Sequence, residues 1–239
     1  MKKVIMTGCP RSGTTALCTL LSHDAKTLIT NEVGNFTWDK ELFEDRIKES
    51  VNKHYINWAL DLKNINKEEF VQAVKDDPTK YCENINDKFG VEIVGDKLPG
   101  YIDSLCDIYH ANRDAYYLIT LRSVQHFVTS SNRHFARGER SGWTFETVNE
   151  AQKFWVSVNC KLLEDIGRII PFGAKLLLVR YEDIGLDIDQ TIKRISNFLY
   201  TDLKIDNPRG GFDPPKQRLK QFTPSSEAQF LMDIFGYGL

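Results

Sequence analysis

The sequence has few cysteines, no long apolar run and almost no net charge, and each of these absences excludes a class of protein. Its five cysteines form no C-x-x-C pair and leave one unmatched, which argues against a disulfide framework and a zinc site. No segment approaches the ~18 apolar residues that a membrane-spanning helix needs. The apolar run near the amino terminus ends at Gly8, too early for a signal peptide. We therefore expect a cytoplasmic protein.

The charge balance also limits the partners of the chain. A formal net charge of −2 offers no general attraction to nucleic acid or to an anionic membrane. Any anionic ligand must therefore be bound by a local basic cluster. A hydrophobic content of 41% and a charged content of 27% are ordinary for a globular protein, and 239 residues fit one domain, 1–239.

The apolar pattern alternates between two periods along the chain. Five short segments are almost continuously apolar, which is typical of parallel strands covered on both faces. They are residues 3–7, 91–94, 115–121, 175–179 and, more weakly, 27–30. Three segments have helical apolar spacing. They are residues 14–22, 123–136 and 187–200. This alternation predicts an α/β fold, in which ligands bind beyond the carboxyl ends of the strands.

Residues 8–15 (GCPRSGTT) join the first predicted strand to the first predicted helix. Their glycines have the spacing of the phosphate-binding loop G-x-x-x-x-G-K-[ST], but Thr14 stands where that motif has lysine. A glycine turn entering a helix offers backbone N–H groups and the positive end of the helix dipole to an anion. Arg11 supplies the full charge, and Ser12, Thr14 and Thr15 add hydroxyl donors. We predict an anion site in a P-loop-like sheet, with a tight structural turn as the alternative.

Three segments in order resemble those of sulfotransferases that use 3′-phosphoadenosine 5′-phosphosulfate (PAPS). Residues 10–15 resemble the family's 5′-phosphosulfate loop. Arg122 ends a predicted strand and Ser130 follows eight residues later in a helix, like the family's pair that binds the 3′-phosphate. Residues 178–184 (LVRYEDI) resemble its "RYEDL" strand end. Ser123 departs from the pattern, because family members often have Asp there. The resemblance spans residues 3–200.

The resemblance implies a reaction and a donor. PAPS would give its sulfuryl group to a hydroxyl or amine of a small-molecule or peptide acceptor by in-line displacement, leaving adenosine 3′,5′-bisphosphate, with no metal. The cofactor-binding residues would be Pro10, Arg11, Ser12, Gly13, Thr14, Thr15, Arg122, Ser130 and, in a basic glycine-containing tail, Arg209.

The general base is assigned by the branch of the family that the chain resembles. Many cytosolic members use a His in a Lys-Thr-His segment, whereas residues 95–99 (GDKLP) resemble the DK-x-P segment of bacterial and tyrosylprotein sulfotransferases. Those members place a catalytic Glu after the loop, and Glu32 follows Arg11 by 21 residues. We predict that Glu32 is the base and that Lys97 and Arg11 neutralise charge on the transferring group. The five histidines belong to none of these matches.

Several alternatives stay open on the sequence. The chain could be a P-loop small-molecule kinase or a non-catalytic nucleotide-binding module. Arg122 could neutralise Glu182 and Asp183, and Lys97 could be a structural ion-pair partner. Glu32 could cap a turn or pair with a surface lysine.

Residues 39–90 interrupt the strand–helix alternation. They are rich in charged residues and Asn, with apolar residues at helical intervals, and predict a helical insertion. This insertion either caps the acceptor side or makes no ligand contact. The segment 206–224 is rich in Pro and Gly and is expected to be irregular. The acceptor's identity and the oligomeric state are beyond the sequence.

Overall fold

The computed structural model describes residues 1–34, 36, 60–61, 63–76, 80–205 and 222–237. Within them, five parallel strands form one sheet in the order β2-β3-β1-β4-β5. The strands are β1 (Lys2–Gly8), β2 (Thr27–Asn31), β3 (Ile93–Lys97), β4 (Tyr116–Leu121) and β5 (Lys175–Arg180). The predicted α/β fold with a parallel sheet is confirmed.

Helices cover the sheet, and three of them match the predicted segments 14–22, 123–136 and 187–200. The described helices are α1 (Thr14–Ser22), α2 (Lys67–Asp76), α3 (Tyr81–Phe89), α4 (Leu105–Ala111), α5 (Val124–Ala136), α6 (Val148–Ile169), α7 (Tyr181–Leu186), α8 (Ile188–Leu199) and α9 (Ser226–Ile234). Short 3₁₀ turns cover Pro99–Ser104 and Ile170–Phe172. In the part of the chain that the structure describes, no helix is long and apolar enough to cross a membrane.

Strand alternation divides the core between the two faces of the sheet. Val4 and Met6 of β1 pack in one buried cluster with residues of α1 and α8. Ile5, which lies between them, packs in the other cluster with residues of α3 to α6 and α9. Successive strand side chains point to opposite faces, so a strand covered on both sides is apolar at most of its positions. This burial explains the continuous apolar runs of the sequence.

Strand β3 begins later and ends later than the predicted segment 91–94. Gly95, Asp96 and Lys97 continue the strand, and all three are buried. A Cβ at Gly95 would lie 2.2 Å from the Val4 carbonyl oxygen, so the close approach of β1 and β3 requires glycine there. The prediction stopped at residue 94 because Asp96 and Lys97 are polar. Their burial depends on partners from other elements, which the apolar pattern does not show.

Helix α6 is long, but the sequence did not reveal it. Its buried positions include Asn159 and Asp165 together with Trp155 and Leu162. Polar residues on the buried face weaken the apolar periodicity by which a helix is recognised. Asp165 is satisfied there by Lys161 at 2.8 Å, a partner that apolar periodicity does not reveal.

The predicted helical insertion 39–90 is described only in part. Helices α2 and α3 lie within it, and Phe70 of α2 belongs to the main buried core. Its predicted apolar positions Leu42, Phe43, Ile47 and Val51 lie outside the described residues, as does most of the tail 206–224. The single-domain organisation and the acceptor-side cap remain predictions.

Strand register brings the ends of all five strands to one edge of the sheet. Met6 and Asn31 both pair with Lys97, Gly8 pairs with Thr120, and Leu121 pairs with Arg180. The loop or helix that follows each strand therefore begins at the same edge of the sheet. Open α/β sheets bind ligands at this edge.

Candidate active site

A cavity of about 610 Å³ opens at this edge of the sheet. Eight predicted site residues line it: Pro10, Arg11, Gly13, Thr14, Thr15, Glu32, Arg122 and Ser130. Ser12 and Lys97 do not line the cavity, although both lie directly behind residues that do. Arg209 falls outside the residues that the structure describes.

Ser12 holds the glycine loop on the sheet. Its side chain is fully buried, and its Oγ lies 2.8 Å from Oγ1 of Thr120 in β4. Its N–H donates to the Cys9 carbonyl at 3.0 Å and closes the turn. The Ser12 hydroxyl thus helps to shape the loop, and its role in ligand binding stays a prediction.

The loop carries two left-handed residues before helix α1 begins. Arg11 has φ 67° and Gly13 has φ 90°. A non-glycine residue in this region costs about 1–3 kcal/mol and persists only where surrounding contacts hold it, often at functional sites. A Cβ at Gly13 would lie 2.1 Å from Cδ2 of Tyr181, so the ring of Tyr181 packs where any side chain would stand. Glycine at this position is required by both backbone and packing.

Arg122, immediately after β4, is tied to the loop. Its Nη1 donates to the Arg11 carbonyl at 2.7 Å, and its guanidinium lies 4.3 Å from the ring centroid of Tyr181. Its Nε is buried and has no hydrogen-bond partner among the described residues. Burial is the main influence on Arg122 and lowers its pKa. An anion in the cavity would give this guanidinium a hydrogen-bonded counter-charge.

The expected alternative partners of Arg122 are engaged elsewhere. Glu182 accepts hydrogen bonds from the Ser123 N–H at 3.1 Å and the Tyr237 hydroxyl at 2.8 Å, and His126 Nδ1 lies 2.7 Å from its Oε1. Asp183 pairs with Arg180 at 2.8 Å and Arg194 at 3.3 Å. Neither carboxylate forms an ion pair with Arg122, although the charge of Glu182 raises the pKa of Arg122 against the larger effect of burial.

Glu32, which lines the cavity, forms an ion pair with Lys97, which lies behind it. Lys97 Nζ lies 2.8 Å from Oε1 of Glu32 and donates to the Thr15 hydroxyl at 3.0 Å. The Lys97 side chain is 0% exposed, whereas that of Glu32 is 41% exposed. The buried ammonium thus connects helix α1 to a carboxylate that a ligand can reach.

Other residues of the site were missed from the sequence. Tyr181 lies inside the recognised segment 178–184, yet its place against Gly13 follows only from the fold. Trp143, Asp103 and Ser104 also line the cavity and carry no motif.

One histidine reaches the loop from α5. His134 Nε2 contacts Nη2 of Arg11, and its Nδ1 lies 2.6 Å from Oε1 of Glu139. No spacing rule links residues that far apart in sequence, so this contact depends on the packing of α5 against the loop.

Comparison with models of known protein families decides the family of this chain, because the sulfotransferase family matches residues 3–204. The chain belongs to the sulfotransferase family. It is accordingly an enzyme that transfers sulfuryl groups. A search of curated protein sequences finds no match.

Solved sulfotransferase structures share the fold. The sulfotransferase domain of the Synechococcus PCC 7002 olefin synthase is 21% identical, with a TM-score of 0.68 over 100% of this chain and 95% of that one. The sulfotransferase domain from the curacin biosynthetic pathway is 16% identical, with a TM-score of 0.67 over 100% and 98%. Sulfotransferase STF9 from Mycobacterium avium is 13% identical, with a TM-score of 0.55 over 98% and 76%. At these identities the likeness is one of fold.

Proposed function

We propose that this sulfotransferase uses PAPS as its donor and transfers the sulfuryl group to a hydroxyl or amine of a small-molecule or peptide acceptor. The observation that carries the proposal is the buried guanidinium of Arg122. It lies against a glycine loop at a helix N-terminus and has no carboxylate partner among the described residues. Such an arrangement supports binding of a ligand with two separate anionic groups.

The residues fit the two ends of the donor. The loop 9–13 and the N-terminus of α1 would hold the 5′-phosphosulfate, with Arg11 as the full positive charge. Arg122 and Ser130 would hold the 3′-phosphate from β4 and α5. Both residues line the same cavity as the loop. When bound, PAPS supplies a sulfuryl group activated by its phosphate leaving group.

The protein's own side chains would neutralise the developing charge and accept the proton of the acceptor. Arg11, which lines the cavity, would neutralise charge that develops as the sulfuryl group leaves the phosphate, and the buried Lys97 would add its charge from behind Glu32 and Thr15. Glu32 accepts the proton of the acceptor, and its exposed carboxylate is accessible from the cavity. Lys97, bonded to both Glu32 and Thr15, holds the base at a fixed distance from the loop. Fixed geometry of this kind lowers the barrier to the reaction.

The two rival functions are less well supported. A small-molecule kinase of this layout would use the loop lysine, and Thr14 stands there instead. A non-catalytic module would have no use for an exposed carboxylate paired with a buried lysine beside the loop. The family assignment favours neither rival.

A transfer assay tests the proposal. The enzyme would be incubated with PAPS labelled at sulfur and with a panel of phenols, sugars, amines and peptides, and with ATP labelled at the γ-phosphate in parallel. We expect label transfer from PAPS to at least one acceptor and none from ATP. Phosphoryl transfer from ATP without sulfuryl transfer would contradict the proposal.

A further inference from the structure

One buried carboxylate beside the proposed active site takes no part in the mechanism. Asp96, in β3, is fully buried and does not line the cavity. Its Oδ1 accepts hydrogen bonds from Thr30 Oγ1 at 2.6 Å and from the Val33 N–H at 3.2 Å. Its Oδ2 accepts from the Gly34 N–H at 2.9 Å and from the Tyr101 hydroxyl at 2.6 Å. A carboxylate has about four acceptor positions, so this one is filled from within the protein.

The donors to Asp96 surround Glu32 in the chain. Thr30 precedes it by two residues, and Val33 and Gly34 follow it directly. Glu32 itself has φ 63°, a left-handed conformation that costs a non-glycine residue about 1–3 kcal/mol and needs support from its surroundings. Its own N–H donates to the Lys97 carbonyl at 2.6 Å. Two adjacent residues of β3 therefore hold the turn that presents Glu32.

Tyr101 extends this support to the wall of the cavity. It lies in the 3₁₀ turn Pro99–Ser104, is buried, and lines the cavity beside Glu32. Its hydroxyl donates to Asp96 and accepts from the Phe36 N–H at 3.2 Å. The Tyr101 hydroxyl thus links Asp96 of β3 to the backbone of Phe36, which lies in the segment that follows Glu32.

We propose that Asp96 and Tyr101 are positioning residues that fix the Glu32 carboxylate in its working orientation. The inference rests on the proposed role of Glu32 as the general base. Asp96 acts through the turn 30–34 and does not touch substrate. A displacement of about 1 Å in a reacting group can cost ~10²-fold in rate, so a turn held by four hydrogen bonds has a measurable effect on the reaction.

Two substitutions weaken the network to different degrees. Asp96→Asn places an NH₂ group where an oxygen accepts a backbone N–H, from either Val33 or Gly34 according to its rotamer. Neither backbone donor can reverse its role, so the turn must move. Tyr101→Phe removes only the hydroxyl and keeps the ring. This second variant gives a test even if Asp96→Asn does not fold.

The matched control is Tyr117→Phe. Tyr117 is also fully buried, and its hydroxyl donates to the Asn112 carbonyl at 3.0 Å. Asn112 precedes β4, so this bond lies at the opposite edge of the sheet from the cavity. The control therefore loses a buried phenol bond without touching the turn at Glu32.

A double-mutant cycle with Glu32→Gln tests the proposal. We expect Tyr101→Phe to lower kcat about 10-fold and Asp96→Asn ~10²-fold, each with unchanged affinity for adenosine 3′,5′-bisphosphate. In the Glu32→Gln background, Tyr101→Phe should cause no further loss, because a residue that acts only through Glu32 has nothing left to position. Tyr117→Phe should keep the wild-type kcat. Amide hydrogen exchange at Val33 and Gly34 should quicken in Tyr101→Phe and Asp96→Asn alone.

The contrary results are distinct from one another. A Tyr101→Phe enzyme with wild-type kcat, or one that loses the same factor with and without Glu32, overturns the positioning role while leaving the base assignment in place. A Glu32→Gln enzyme that retains its rate overturns the base assignment, and the positioning role with it.

Discussion

The two sides of the cavity hold their charges in different ways. On the donor side (Arg11, Gly13, Arg122, Tyr181), a guanidinium lies over an aromatic ring and against a backbone carbonyl, without a carboxylate partner among the described residues. On the base side (Glu32, Asp96, Lys97, Tyr101), every one of these polar side chains bonds to another part of the protein. This difference fits the proposed function, in which the donor side binds the anionic ends of PAPS and the base side fixes the orientation of the Glu32 carboxylate.

This difference predicts whether a substitution lowers the affinity for the ligand or the rate of the reaction. Loss of Arg122 should weaken ligand binding, because in the proposed function its guanidinium binds the 3′-phosphate. Loss of a base-side group should lower the rate, because its partners are within the protein and the nucleotide is bound elsewhere. Substitutions on each side test that division, from the largest expected effect to the smallest.

Glu32→Gln should have the largest effect. Loss of a general base typically costs ~10²–10⁴-fold in rate, and we expect kcat to fall by at least ~10²-fold. Binding of adenosine 3′,5′-bisphosphate should be unchanged, because the loop and Arg122 remain. Single-turnover kinetics and calorimetry measure the two quantities. A variant with most of its rate would exclude Glu32 and direct attention to the histidines, since Asp96 is buried behind the turn.

Lys97→Met should lower kcat by about 10²–10³-fold, the usual cost of removing one group that stabilises transition-state charge. Methionine keeps most of the buried volume, so the change mainly removes the bonds to Glu32 and Thr15. Steady-state kinetics would show the loss in kcat, with a smaller change in nucleotide affinity. Normal turnover in a folded variant would make Lys97 a structural partner only.

Arg122→Ala should mainly weaken the binding of adenosine 3′,5′-bisphosphate. A charge-assisted hydrogen-bonded pair contributes about 2–3 kcal/mol, which corresponds to roughly 30–150-fold in Kd. kcat at saturating donor should change little, because the 3′-phosphate lies away from the reacting sulfur. Calorimetric titration checks the affinity. Arg180→Ala is a suitable control, since Arg180 pairs with Asp183 and does not line the cavity. A larger loss in kcat than in affinity would place Arg122 on the reacting side.

Much of the donor side could be predicted because it is local in sequence. The loop and the first turn of α1 are contiguous, and Ser130 lies in the helix that begins two residues after Arg122. The contact between the hydroxyls of Ser12 and Thr120 could not be predicted, because Thr120 comes from a strand distant in sequence.

The arrangement of the base side could not be predicted. Glu32 and Lys97 were identified as residues, but their ion pair and the role of Asp96 depend on the register between β2 and β3. Tyr101 comes from a separate 3₁₀ turn. Buried polar side chains contacting across elements leave no periodic signal in the sequence, as the missed helix α6 also shows.

We expect Glu182→Gln to have the smallest effect of these substitutions, and to change the stability of the protein. Burial raises the pKa of Glu182, but hydrogen bonds from His126, Tyr237 and the Ser123 N–H hold it below its ordinary value overall. A folded-state pKa below the unfolded one stabilises the protein above the unfolded pKa, and this contribution is lost as the pH falls through the folded value. We expect Glu182→Gln to lower the free energy of unfolding by about 1–3 kcal/mol at pH 7, with a smaller difference in acid. Urea titrations at both pH values measure it. A difference that stays constant at all pH values would show that ionisation of Glu182 is not its cause.

The affinity of the wild-type enzyme for nucleotides tests the central claim most directly. Calorimetry would compare adenosine 3′,5′-bisphosphate with ATP, each with and without Mg²⁺. Because Thr14 replaces the loop lysine and Arg122 with Ser130 offers a separate phosphate site, we expect adenosine 3′,5′-bisphosphate to bind far more tightly than ATP, without Mg²⁺. Equal affinity for the two nucleotides, or a strict requirement for Mg²⁺, would contradict the account.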